Sequence, residues 1–74
     1  MTRAEQTEKE LKTQGWEYDH SAMVKGYHYA GSTEEMKSKG GYDYCRVYTS
    51  ECHMRCNGRY STTFQVSWVF RKER

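Results

Sequence analysis

Isoleucine is absent from the 74 residues, leucine occurs once, as Leu11, and valine four times, at Val24, Val47, Val66 and Val69. That shortage excludes a conventional core of interlocking branched aliphatics. The apolar bulk lies instead in seven tyrosines, two tryptophans, two phenylalanines and four methionines. Tyrosine and tryptophan rarely bury completely, because the hydroxyl and the indole N–H each require a partner. The chain also lacks any apolar run long enough to span a bilayer. Its first fifteen residues are charged and contain no apolar stretch of the kind a secretory leader carries. The expectation is a soluble protein of the cytoplasm, folded as one domain over residues 1–74.

A domain this small buries only about 60% of its unfolded surface, and such domains often need a staple. The cysteines suggest one. All three fall within residues 45–56, as Cys45, Cys52 and Cys56, with His53 beside the second. Three thiols and an imidazole match the ligand set of a closed tetrahedral zinc site. Structural zinc contributes roughly 10–16 kcal/mol of apparent binding energy in small peptides. In a reducing compartment thiols favour metal over a disulfide, and three is an odd number. The spacing is not that of a paired knuckle, because only His53 and Cys56 are separated by two residues. Adjacent ligands at Cys52 and His53 point apart on most backbones, so His28 or His20 is an alternative fourth ligand. A disulfide with one spare cysteine, and three ordinary free thiols, are the competing readings.

Thr2 with Glu5 forms a capping box and Gly15 a left-handed stop, which predicts a helix over residues 3–14. Glu5–Lys9 and Glu8–Lys12 are favourable pairs at helical spacing. Ala4 and Leu11 are nearly its only apolar positions, so it docks by a narrow stripe. From Trp16 the period changes to two: Trp16, Tyr18 and His20 share a face, and Tyr27 and Tyr29 mark a further short extended piece. Ser32 with Glu35 repeats the capping pattern, predicting a short helix or turn over residues 33–39 that closes at Gly40–Gly41. Residues 42–49 alternate again. In the last strand Phe64, Val66, Trp68 and Phe70 alternate with Gln65, Ser67 and Val69. Asn57-Gly58 is a turn signal between these two strands. The fold class is α+β: an N-terminal helix packed on a small antiparallel sheet of three to four strands, with a zinc-stapled loop. Trp68 and Phe70 are expected to face inward and to be more buried than the tyrosines of the preceding strand. Trp16 and Leu11 are expected to cover the same face.

Charge divides unevenly. Residues 1–41 carry six Lys/Arg and seven Asp/Glu, whereas residues 42–74 carry six Lys/Arg and three Asp/Glu. Tyr42, Tyr44, Arg46 and Tyr48 fall on one side of their strand. Tyrosine and arginine are common anchors of protein interfaces, which makes these four the candidate partner-binding residues. The same types suit single-stranded nucleic acid by stacking and phosphate contact. A net charge of +3 in this part is small for binding by counterion release. The helix face carrying Glu5, Glu8 and Lys12 is a second candidate surface.

Catalysis is not expected. Cys52 beside His53 is the sole nucleophile–base pair, and neighbours in sequence usually project apart. An open zinc site would need Glu51 as general base. In its short length, tyrosine-rich and leucine-poor composition, charged first helix and small sheet, the chain resembles small phage and mobile-element proteins of the anti-CRISPR inhibitor type. The resemblance covers size and composition and carries no site residues. It implies a non-enzymatic, stoichiometric blocker of a larger host protein, a CRISPR effector nuclease, acting on a surface needed for nucleic-acid loading. The alternative is a zinc-stabilised nucleic-acid-binding module using the Tyr/Arg sheet face.

Overall fold

The computed structural model describes residues 2–74. One helix, α1 (Arg3–Thr13), precedes four strands: β1 (Glu17–Lys25), β2 (Thr33–Lys39), β3 (Tyr42–Asn57) and β4 (Tyr60–Glu73). They form one antiparallel sheet in the order β1-β4-β3-β2. The α+β class and the helix-on-sheet plan are therefore present, with four strands. No helix among the described residues is long and apolar enough to cross a membrane.

The helix begins and ends where its sequence signals lie. The Thr2 side chain accepts the Glu5 N–H at 3.2 Å. At the other end Trp16 N–H donates to Leu11 O at 3.0 Å and Gly15 N–H to Lys12 O at 3.2 Å, with Gly15 at φ +97°. This is the Schellman pattern, and it turns Trp16 back over Leu11. Ala4, Leu11, Cys45, Val47 and Phe70 form the core, with Trp16 and Trp68 packed against it. The core thus lies between α1 and one face of the sheet, termed here the helix-side face.

Residues 33–39 are a strand, not the predicted helix or turn. Pairing with β3, from Thr33 opposite Val47 to Lys39 opposite Tyr42, outweighs a weak local helix signal. The Ser32 hydroxyl donates backwards to Tyr29 O rather than capping a helix. Gly40 and Gly41, at φ +60° and +82°, make a two-residue hairpin loop of the type I′ pattern.

Gln65 and Ser67 alternate with the inward-facing aromatics of β4, yet both are fully buried. Residues 26–32 run from β1 at one edge to β2 at the other and cross the sheet on this opposite face. Gln65 fastens that crossing. Its amide donates to His28 O at 2.8 Å and to Thr49 O at 2.6 Å, and its oxygen accepts His28 N–H at 2.6 Å. The His28 ring stacks on Tyr48 at 4.1 Å between centroids. Thr49 lies where β3 carries extra residues relative to β4, between Tyr48 and Cys52. The crossing, the bulge and β4 are therefore joined through one buried side chain.

Candidate functional site

Beyond the bulge β3 pairs with β4 alone, and past the Gly26 N–H bond to Thr63 O the two strands leave the rest of the sheet as a two-stranded arm. Cross-strand pairs run from Cys52 opposite Gln65 to Asn57 opposite Tyr60. The tip is the two-residue loop Gly58-Arg59, with Gly58 at φ +64° and no positive φ at Arg59, the type II′ pattern. Every residue from 50 to 61 is exposed. The arm helps to stretch the chain to 46 Å along its longest axis against 15 Å along its shortest.

Strand alternation sets what the arm presents. Cys52, Met54 and Cys56 share one side with Ser61 and Thr63. His53, Arg55 and Asn57 share the other with Tyr60, Thr62 and Phe64, and Arg59 caps the tip. Met54 is 67% and Tyr60 81% exposed, among the largest exposures of any apolar side chain here. His53 Nε2 lies 3.6 Å from the Glu51 carboxylate, both well exposed.

The four predicted zinc ligands are not brought together. The segment expected to be a stapled loop is continuous strand. Cys45 is buried in the core on the helix-side face, roughly 20 Å along β3 from Cys52. Cys52 and Cys56 share a side but stand about 13 Å apart at strand rise, and His53 projects from the opposite side. His28, stacked on Tyr48, and His20, 2.7 Å from the Asp19 carboxylate, lie elsewhere. Among the described residues no group of three or more His, Cys, Asp and Glu side chains is placed to hold a metal ion. The same alternation denies His53 access to the Cys52 thiol as a base.

Burial pushes the Cys45 thiol pKa above its usual value, whereas Cys52 and Cys56 are free and exposed. Because the thiolate is the reactive form, native protein should take up iodoacetamide at two thiols, with the third reacting only on unfolding. Mass spectrometry of the alkylated peptides reads this directly. Modification of Cys45 as fast as Cys56 would contradict the placement of β3.

The predicted partner patch divides. Tyr42, Tyr44, Arg46 and Tyr48 do share one face, but two of them serve the fold. Tyr48 is 4% exposed and its hydroxyl donates to Glu34. Burial, then the Glu34 hydrogen bond, pushes its pKa up. Arg46 lies half-buried, 3.7 Å from Glu34, with its Nε buried and unpartnered. Tyr42 lies under the Arg71 guanidinium at 4.9 Å. Tyr44, with Met36, His20 and Val69, lines a shallow depression of about 330 Å³. The second predicted surface fares differently: Glu5, Glu8 and Lys12 line a groove of about 660 Å³ between α1 and Trp68.

The arm itself was hidden from sequence reasoning. It buries neither side, so it shows no apolar alternation, and its soft ligands read as a metal loop. The available signal was the strict order of Cys52, Met54 and Cys56 against His53, Arg55 and Asn57. Comparison with protein-family models, with curated proteins and with solved structures gives no match.

Proposed function

We propose that this is a small non-enzymatic binding protein that inserts its β3–β4 arm into a cleft of a larger protein and blocks it. The exposed arm carries the proposal. Twelve consecutive residues, 50–61, contribute nothing to the core yet hold Met54, Arg55, Arg59 and Tyr60 in a defined extended geometry. Tyrosine, methionine and arginine are the enriched types of interface cores. A hairpin already paired strand to strand also loses little conformational freedom on docking. Blocking a CRISPR effector nuclease is the specific form that the resemblance in size and composition suggests, and its cleavage activity is the first to titrate. Zinc has no part in this proposal, because the strand separates the thiols.

A second reading has one observation of its own. A two-stranded ribbon fits the major groove of duplex DNA, and the arm carries Arg55 and Arg59. The low net charge of the chain, +2, weighs against it. The triple substitution Arg55→Ala, Arg59→Ala, Tyr60→Ala should leave the melting temperature near that of wild type. It should weaken partner binding by roughly 2 kcal/mol or more if these are hot spots. The test passes nuclease-treated host lysate over both proteins and titrates both against fluorescent DNA and RNA. A protein retained by wild type alone supports the proposal. Micromolar nucleic-acid affinity with a steep salt slope, abolished in the triple variant, would transfer the arm to the ribbon reading.

A further inference from the structure

The two edges of the sheet are built differently. β2 carries Glu34, Glu35, Lys37 and Lys39 within seven residues and has a register shift between Met36 and Lys39. Charges and bulges of this kind deter strand pairing. β1 is irregular only near its start, between Tyr18 and His20. From His20 to Lys25 it pairs regularly with β4, and the stretch Ser21, Ala22, Met23, Val24 is the one uncharged four-residue run on either edge.

The free hydrogen-bonding groups of that edge can be assigned. Gly26 N–H donates inward to Thr63 O at 2.9 Å. By antiparallel alternation Val24 and Ala22 also turn their backbone groups to β4, while Ser21, Met23 and Lys25 turn theirs outward. Three consecutive outward positions form a ready ladder. Beside it on the helix-side face, Met23 is 54% exposed and its β4 neighbours Val66 and Trp68 are only half-buried.

We propose that β1 is a self-association edge: two copies of this chain pair β1 to β1, antiparallel, about a two-fold axis at Met23. The strand is self-complementary in this register. Met23 meets Met23 of the second copy on the helix-side face, and Ala22 meets Val24 on the other. Ser21 and Lys25 exchange backbone hydrogen bonds at each end. Lys25 of each copy stands opposite Ser21 of the other, one diagonal step from the Asp19 carboxylate, which lies 3.7 Å from Arg71 of its own chain. An edge with Asp19 toward one end and Lys25 at the other is charge-complementary to an antiparallel copy of itself. The product is one eight-stranded sheet with both helices on the same face and the two arms at opposite ends. Each arm stays free for the partner proposed above, so the two inferences stand or fall separately.

Sedimentation and light scattering over a wide concentration range test this. Wild type should show a species of twice the chain mass that grows with concentration. Met23→Lys should stay at the chain mass with unchanged circular dichroism, because a lysine on the edge opposes pairing. Lys37→Ala on β2 should behave as wild type. Should Met23→Lys not fold, Met23→Cys in a Cys52→Ser, Cys56→Ser background decides the matter. Opposed residues of an antiparallel pair have Cα atoms about 4.5–5.5 Å apart, within disulfide reach. That variant should cross-link between chains under mild oxidant, and Lys37→Cys should not. A wild-type chain that stays monomeric at the highest concentration overturns the proposal. So does a dimer that survives Met23→Lys, or one that is lost on substituting the arm residues.

Discussion

Phe70→Ala should cost about 3–5 kcal/mol and leave little or none of the domain folded. The ring is fully buried on the helix-side face. It sits opposite Cys45 on β3 and meets the Tyr18 ring edge-on, at 5.9 Å and 78°. With Ala4, Leu11, Cys45 and Val47 it makes the buried apolar cluster under α1. No isoleucine or second leucine is at hand to close the cavity. Typical stabilities of about 0.05–0.15 kcal/mol per residue give this chain about 4–11 kcal/mol in total, so the loss is comparable to the sum. Phe70→Leu should keep most of it, and Tyr27→Ala, at 73% exposure, should be silent. Urea titration followed by circular dichroism checks all three. An unchanged midpoint for Phe70→Ala would mean that α1 does not pack where described.

Gln65→Ala should be nearly as damaging, by roughly 3 kcal/mol, through unpaired polar groups and not through lost apolar volume. Thr49 O and both backbone groups of His28 lose their partner at once. The crossing over residues 26–32 should loosen first, seen as faster amide exchange at Gly31 and Tyr48, whose N–H groups pair where the crossing joins β3. Gln65→Glu should be worse than alanine at neutral pH. It sets a carboxylate against two carbonyl oxygens, so its folded pKa rises above the unfolded value of about 4.3. The variant therefore regains stability as pH falls through the folded pKa, where the protonated carboxyl can donate once; the gain is complete below the unfolded value and is lost again as pH rises through the folded pKa. A melting temperature insensitive to Gln65→Ala would show that the crossing is held by other contacts.

What could be seen beforehand follows from where each signal originates. The local signals that bound the first helix survived. Thr2 and Gly15 bound the helix within one residue of its observed end, because capping is satisfied by neighbours in sequence. Phe70 and Val47 were readable from alternation, since one face of their strands meets α1. Trp16 covers the core with Leu11 as expected, and Trp68 shares the face of Phe70 but stays half-buried at the margin of the helix. Tyr48 is more buried than Trp68, contrary to the expectation for that strand. Its burial comes from His28 and Glu34, both distant in sequence. The same holds for Gln65 and Ser67. Their alternation with Phe64, Val66 and Trp68 reads as a solvated face until the crossing of residues 26–32 covers it. Residues 33–39 misled for the converse reason: their helical signal is local and weak, and the ladder to β3 is neither. In the candidate site, Cys45, Cys52, His53 and Cys56 are close only in number. An extended strand, even with the bulge between Tyr48 and Cys52, separates them by rise and alternation, while a loop could have gathered them.

The most direct measurement of the central claim places a photocrosslinking side chain at Tyr60 on the arm and, separately, at Lys37 on β2. Both are irradiated in nuclease-treated host lysate. The account predicts a discrete protein adduct from position 60. Excess wild-type chain should compete it away, and the Arg55→Ala, Arg59→Ala, Tyr60→Ala variant should not. Position 37 should give none. An adduct from position 37 with none from position 60, or a position-60 adduct that the triple variant competes as well as wild type does, would contradict recognition through the arm.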